Sequence, residues 1–184
     1  MSQKNIEKQP KKVKGQEIDF RTFIQDAQRA WAEGVVSIGK TNDTEQYIEE
    51  ANRVLDELYD FDKNDFILFK PTLASQHPVR TDRQGTASYF IGGIFTEDGA
   101  GFARTPWARV TFEDDFNFTE LDSGDILVMG RCTFYPYDGD TDHEITTADY
   151  TFGYRGGSMR IFLHHSSSMV SRKRQVKFEL RRFV

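Results

Sequence analysis

The stretch that decides the fold is FILFKPTLAS, from Phe66 to Ser75. Upstream of it, apolar residues recur every three or four positions. From Phe66 onward they come in short runs broken by turn residues, the mark of strands. Working back, Asp19 stands where a helix cap is needed, with Ile18 and Phe23 at staple spacing across it. Phe20, Phe23, Ile24, Ala27, Ala30 and Trp31 then follow helical spacing, and the Gly34 to Asn42 stretch is expected to end or kink that helix. Asp43 and Gln46 open a second helix with capping-box spacing. Its inner stripe is Tyr47, Ala51, Val54, Leu55 and Leu58, with Glu49, Glu50, Arg53 and Glu57 outside.

Working forward, the β-rich runs are FILFKPTLAS, TASYFIGGIF, WARVTFEDDFNF, DILVMGRCTFYPY, EITTADYTFGY and SMRIFLHHSS. Asp138-Gly139 and Gly156-Gly157 read as hairpin turns. Helices first and consecutive antiparallel strands after them predict an α+β fold, with the N-terminal helices packed on one face of a strongly curved, mostly antiparallel sheet. That order resembles the cone-shaped fold of nuclear transport factor 2, which leaves a pocket between helices and sheet. The fold hosts isomerases, dehydratases, transport factors and association modules, so it decides no function by itself.

Charge divides the 184 residues into three parts. Met1 to Lys14 carries +4 and Ser171 to Val184 carries +5, so with a net charge of −5 the remaining body carries −14. Such a body repels phosphate backbones and argues against a nucleic-acid partner. With 38% hydrophobic residues and 16 Phe, most of the chain can bury a core. The expected organisation is a flexible leader over 1–17, one domain over 18–170 and a basic C-terminal segment over 171–184. The longest uncharged stretch, Gly85 to Thr96, is too short and too Gly-rich to span a bilayer. One cysteine, Cys132, excludes an internal disulfide framework, and the start shows no secretory h-region. A cytoplasmic setting is therefore expected, with a removed targeting segment left open.

The densest polar cluster closes the last strand run: His164, His165, Ser166, Ser167 and Ser168. Strand alternation puts Ile161, Leu163, His165 and Ser167 on one face and Arg160, Phe162, His164 and Ser166 on the other. The first set is more apolar, so His165 and Ser167 are expected to face the pocket. Neighbouring histidines on a strand diverge and cannot share an ion, and His77 and His143 have no ligand spacing, so no metal site is expected. Tyr89, flanked on its strand face by Ala87 and Ile91, is a candidate hydroxyl donor in an apolar wall. Thr72 follows Pro71, which marks a strand edge or bulge.

Two acidic runs imitate calcium loops and fail. The run from Asp60 has Asp65 where glycine is needed, and the run from Asp138 has His143 there. Asp149 is a conceivable carboxylate base, but it shares its face with Thr147 and Thr151 and is expected on the outer or inter-subunit side. No nucleophile elbow, P-loop or dinucleotide fingerprint occurs.

Five motifs in order, Phe69 to Ser75, Gly85 to Gly93, Gly101-Phe-Ala, Tyr150 to Tyr154 and Ile161 to Ser167, resemble the iota-class carbonic anhydrases. That family is related to the association domain of calcium/calmodulin-dependent protein kinase II. The resemblance covers roughly Ile18 to Ser168 and leaves both basic ends outside. It implies reversible hydration of carbon dioxide to bicarbonate, without a cofactor in the members this chain resembles more. Leu163 stands where some relatives carry a further His, which weakens a metal reading. The site residues it implies are Thr72, Tyr89, and a Ser and His of the last strand. Parity favours Ser167 with His165, while Ser166 with His164 has the same spacing.

Such a site would position water and stabilise negative charge on oxygen with fixed hydroxyl donors, and the His would relay a proton. An acidic body does not steer bicarbonate from afar, so local attraction would come from Lys70, Arg104 or the hydroxyls. A homodimer is expected by analogy. A non-catalytic association module and an isomerase or dehydratase built on Asp149 are the competing readings.

Overall fold

A computed structural model describes residues 19–40, 43–61, 66–137 and 145–168. Helix α1 spans Phe20–Gly39 and α2 spans Thr44–Leu58. The Asp19 carboxylate accepts from the backbone N–H of Arg21 and Thr22, and Asp43 accepts from that of Gln46, so both caps form where the sequence put them. Helix α1 continues through Gly34 and ends at Gly39, inside the Gly34 to Asn42 stretch expected to end or kink it. Gly34 marks a close approach: a Cβ there would lie 2.8 Å from Val54 Cγ1 on α2.

The strands are β1 (Leu68–Lys70), β2 (Trp107–Phe112), β3 (Asn117–Glu120), β4 (Ile126–Pro136), β5 (Thr146–Tyr154) and β6 (Ile161–Ser168). They form one sheet in the order β1-β6-β5-β4-β2, with β3 pairing the other end of β4. Only β1 runs parallel to its neighbour. The WARVTFEDDFNF run is therefore two strands, broken where Phe116 turns into the core. The Gly156-Gly157 turn links β5 to β6, with Gly157 at φ 85°.

One predicted strand is a helix. Helix α3, Arg83–Ile91, begins before the β-rich TASYFIGGIF run and takes up its first part, Thr86 to Ile91. Its local propensity favours a strand, but the caps decide. The Asp82 carboxylate takes the Gly85 N–H at 2.7 Å, and Gly92, at φ 76°, ends the helix by donating to the Ser88 carbonyl.

The core lies between the helices and the inner sheet face. Ile24, Gln28, Trp31, Val35 and Ile38 form the buried stripe of α1. Trp31 sets its ring edge-on to Phe112, Phe134 and His164. The inner face of β5 carries Ala148, Tyr150, Phe152 and Tyr154, all buried. Each such fully buried large apolar side chain contributes about 1.5–3 kcal/mol. Among the described residues, no helix is long and apolar enough to cross a membrane. The expected leader, the basic C-terminal segment, the Asp138-Gly139 turn and His143 lie outside the described residues.

Candidate active site

A β-bulge decides which half of the His-His-Ser-Ser motif is inside. Along β5 and β6, Gly153 pairs with Leu163 but Tyr154 pairs with Ile161, so β6 carries one extra residue opposite that step. The extra residue shifts the alternation by one. Ile161 points inward, and the next inward residues are His164, Ser166 and Ser168, while Leu163, His165 and Ser167 go to the outer face. The parity assignment of His165 and Ser167 to the pocket is thus overturned. Regular alternation from Ile161 crosses a bulge that only the pairing with Gly153 reveals.

The inward residues open on a cavity of about 100 Å³. Trp31, Leu73, Phe102, Phe134 and Phe152 make its apolar walls. Thr72, Tyr89, Ser166 and Ser168 bring hydroxyl-bearing side chains to its lining, His164 brings its imidazole, and Tyr150 lines it while its hydroxyl is engaged by Gln28. Thr72 Oγ1 donates to Ser166 Oγ at 2.8 Å, joining the segment after β1 to the end of β6. A water claims about 30 Å³ of liquid. The cavity therefore suits a substrate of a few atoms with a water beside it. A bigger, open groove of about 570 Å³ runs between α1 and β2, where Arg29, Glu33, Arg109 and Asp114 mix both signs of charge.

Burial sets the protonation of the cavity groups. It pushes the Tyr89 and Tyr150 phenols up, so both stay O–H donors. It pushes the Cys132 thiol up to about 12, so this cavity residue is no thiolate nucleophile. It pulls the His164 imidazole down to about 3, so the ring is neutral at physiological pH. Tyr59, fully buried after α2, bonds His164 Nδ1 at 2.8 Å and accepts from Trp31 Nε1 at 3.0 Å. Gln28 Nε2 donates to the Tyr150 hydroxyl at 2.5 Å.

A buried ionic clamp holds the two hydroxyl-bearing segments beside β6. The Arg80 guanidinium binds Asp98 through two N–H groups, at 2.6 and 2.8 Å, and also donates to the Gly85 carbonyl. Its backbone exchanges hydrogen bonds with Phe69 of β1. Ser88, next to Tyr89, donates to Asp98 at 2.6 Å. Glu97 accepts the N–H groups of Ser75, Gln76 and His77. Those of Gln76 and Ser75 do most to hold its carboxyl down to about 2. Thr72 and Tyr89 thus sit on a loop and a helix tied to one another.

Of the other candidates, Asp149 stands on the outer face, exposed and bonded to Arg131 Nε at 3.0 Å, as alternation predicts. His165 is also outside, level with Lys70 and Thr151 in the sheet. Lys70 and Arg104 do not line the cavity, so local attraction for an anion falls to the hydroxyls. Arg104 stacks on the Tyr47 ring instead. Among the described residues, no group of three or more His, Cys, Asp or Glu is placed to hold a metal ion. Sequence reasoning missed Tyr59 and Tyr150 altogether. Tyr59 gave a weak signal, one position beyond the apolar stripe of α2.

Three comparisons bear on this site. A family model described as metal-independent carbonic anhydrase matches residues 22–168. The chain is 33% identical over 154 residues to the metal-independent carbonic anhydrase of Nostoc sp. (strain PCC 7120 / SAG 25.82 / UTEX 2576), covering 77% of this chain and 69% of that protein. It is similar to the crystal structure of a cyanobacterial iota-carbonic anhydrase complexed with bicarbonate, with a TM-score of 0.69 and 26% identity over 90% of this chain and 99% of the other. It shares its fold with a calcium/calmodulin-dependent protein kinase II association domain from Xanthomonas campestris. There the TM-score is 0.51 and the identity 21%, over 84% of this chain and 89% of that one.

Proposed function

This chain belongs to the metal-independent carbonic anhydrases, and from that premise we propose that the cavity beneath β6 is where it interconverts carbon dioxide and bicarbonate. The observation that carries the site assignment is the Thr72–Ser166 hydrogen bond, inside a small cavity that also holds Tyr89 and His164. Carbon dioxide is neutral and apolar, and the aromatic walls admit it without a desolvation penalty. A water held by the hydroxyls attacks the carbon. One C=O electron pair moves onto oxygen, and the water's proton must leave, so that carbon dioxide and water become bicarbonate and a proton.

Negative charge grows on the substrate oxygens as the new bond forms. The Tyr89 hydroxyl stays protonated and serves as a fixed donor to that charge. Fixed donors in a water-poor cavity need no reorganisation at the moment of reaction, and one of them is worth about 10²–10³ in rate. Ser166 accepts from Thr72, so its own hydrogen is free to pass onward. Ser168, exposed and two residues along the same face, gives the departing proton a hydroxyl path to solvent. His164 is too deeply buried to carry the proton as a cation, which replaces the relay role expected of the motif's histidine.

Stopped-flow hydration of carbon dioxide, with and without a strong chelator, tests this reading. The expected result is a rate above buffer that chelator leaves unchanged. No rate above buffer sinks the reading. We further propose that two copies pair through the outer sheet face, where Leu68 and Met129 are exposed beside the Arg131–Asp149 pair. A sedimentation mass twice that of the chain is expected.

A further inference from the structure

The buried triad of Trp31, Tyr59 and His164 fixes a proton. An indole N–H only donates, so the 3.0 Å bond from Trp31 Nε1 makes the Tyr59 oxygen an acceptor there. Tyr59 is fully buried, and aiming its hydroxyl hydrogen at its other neighbour, His164 Nδ1 at 2.8 Å, gives that O–H an acceptor, as a buried donor requires. A neutral imidazole that accepts at Nδ1 carries its hydrogen on Nε2. His164 lines the cavity while Nδ1 is turned to Tyr59, so Nε2 is the ring nitrogen left to the cavity.

We propose that Tyr59, oriented by Trp31, is a positioning residue that locks His164 in the Nε2–H form, making His164 a hydrogen-bond donor to a bicarbonate oxygen rather than a base. The proposal rests on the reading of this cavity as the hydration site and assigns the histidine's part in it. The surroundings hold the arrangement in place. Phe69 from β1 and Phe152 from β5 pack edge-on to the His164 ring, with centroids 4.9 and 4.7 Å away. Trp31 from α1 lies 5.6 Å away, and Tyr59 stacks on it at 6.2 Å. The titratable groups of the cavity, Tyr89, Tyr150 and Cys132, are all held in their neutral forms by burial. The charged or chargeable neighbours Lys70 and His165 lie across the sheet, on its outer face. Nothing in the cavity therefore favours an imidazolium, and a phenol held protonated by burial is a lasting donor.

Nitrogen-15 NMR of histidine-labelled protein tests this directly. The His164 resonances are identified by their loss in His164→Gln. The wild type should show a bare Nδ1 and a protonated Nε2, unmoved between pH 5 and 8. Added bicarbonate should shift the Nε2 resonance. A protonated Nδ1, a ring that titrates in that range, or an Nε2 indifferent to bicarbonate overturns the proposal. Tyr59→Phe keeps the ring and removes the hydroxyl. It should mix the two tautomers and lower kcat for hydration by about 10–100-fold, the scale of loss when the partner that orients a metal-bound imidazole is removed. An unchanged spectrum and rate in that variant would overturn it too. The wild-type spectrum decides the tautomer whether or not the hydration assay succeeds, so the two failures stay separable.

Discussion

His164 and His165 share a peptide bond, yet the first is ringed by Trp31, Tyr59, Phe69 and Phe152 while the second lies level with Lys70 on the outer sheet face. Burial first, and the neighbouring His165 second, take His164 down to about 3. His165 is lowered as well, by partial burial first and the Lys70 ammonium second. The ion pairs repeat the contrast. Arg80 and Asp98 are sealed in, with side chains 1% and 2% exposed, whereas Arg131 and Asp149 face solvent at 38% and 54%. The inner face of this sheet is thus a low-dielectric chemical environment and the outer face an aqueous one. A residue's side, more than its type, fixes what it can do.

The largest break of that contrast should come from the ion pairs. Arg80→Met leaves the Asp98 carboxylate buried without its partner and should cost about 3–5 kcal/mol, read from urea unfolding. Arg131→Met at the exposed pair should cost under about 1 kcal/mol by the same measurement. If the two variants unfold alike, the inner face is not the environment described.

Next come the serines. Ser166→Ala removes the acceptor of the Thr72 hydroxyl and should lower kcat for hydration by about 10²–10³. Ser167→Ala, on the outer face, should stay within about twofold, since surface changes away from the site rarely matter. The reverse ranking in a stopped-flow comparison would return Ser167 and His165 to the site.

The pH dependence of stability sharpens the histidine comparison. His164 is neutral when folded down to about pH 3, but in the unfolded chain it takes up a proton near its ordinary value of 6.5. The unfolded state therefore binds more protons across that window. Stability is fully present above about pH 6.5 and is lost as pH falls toward 3, at up to about 1.4 kcal/mol per pH unit. His164→Phe should remove one proton's worth of that slope between pH 6 and 4. His165→Ala should leave most of it and change stability at pH 7 by about 0.5 kcal/mol or less. Denaturant titrations at several pH values check both.

Both helix caps, Asp19 and Asp43, could be read from the chain because capping is local chemistry between residues two or three apart. So could the switch at Phe66 and the outward side of Asp149. Helix α3 was hidden because Thr86, Tyr89, Phe90 and Ile91 favour strands, although Asp82 before Gly85 and the Gly92-Gly93 stop were visible signals. At the site, Thr72 and Tyr89 followed from motif resemblance, and both line the cavity. The choice between the two His-Ser pairs depended on a pairing step between residues of different strands, which no local pattern encodes. Tyr59 belongs to the same class, since its bonds to Trp31 and His164 span 28 and 105 positions.

The step at Gly153 also bears on portability. A Cβ there would lie 2.8 Å from Phe162 Cζ and 3.0 Å from Leu163 Cβ, so the bare backbone is what leaves the doubled residue room. A designer who grafts the eight residues of β6 onto an unrelated barrel would inherit its spelling without its phase. Counted from Ile161 on a regular strand, the imported serine and imidazole would look out at solvent. The smallest unit that can be transplanted is therefore a two-strand cassette, with the glycine travelling beside the histidine it never touches in sequence.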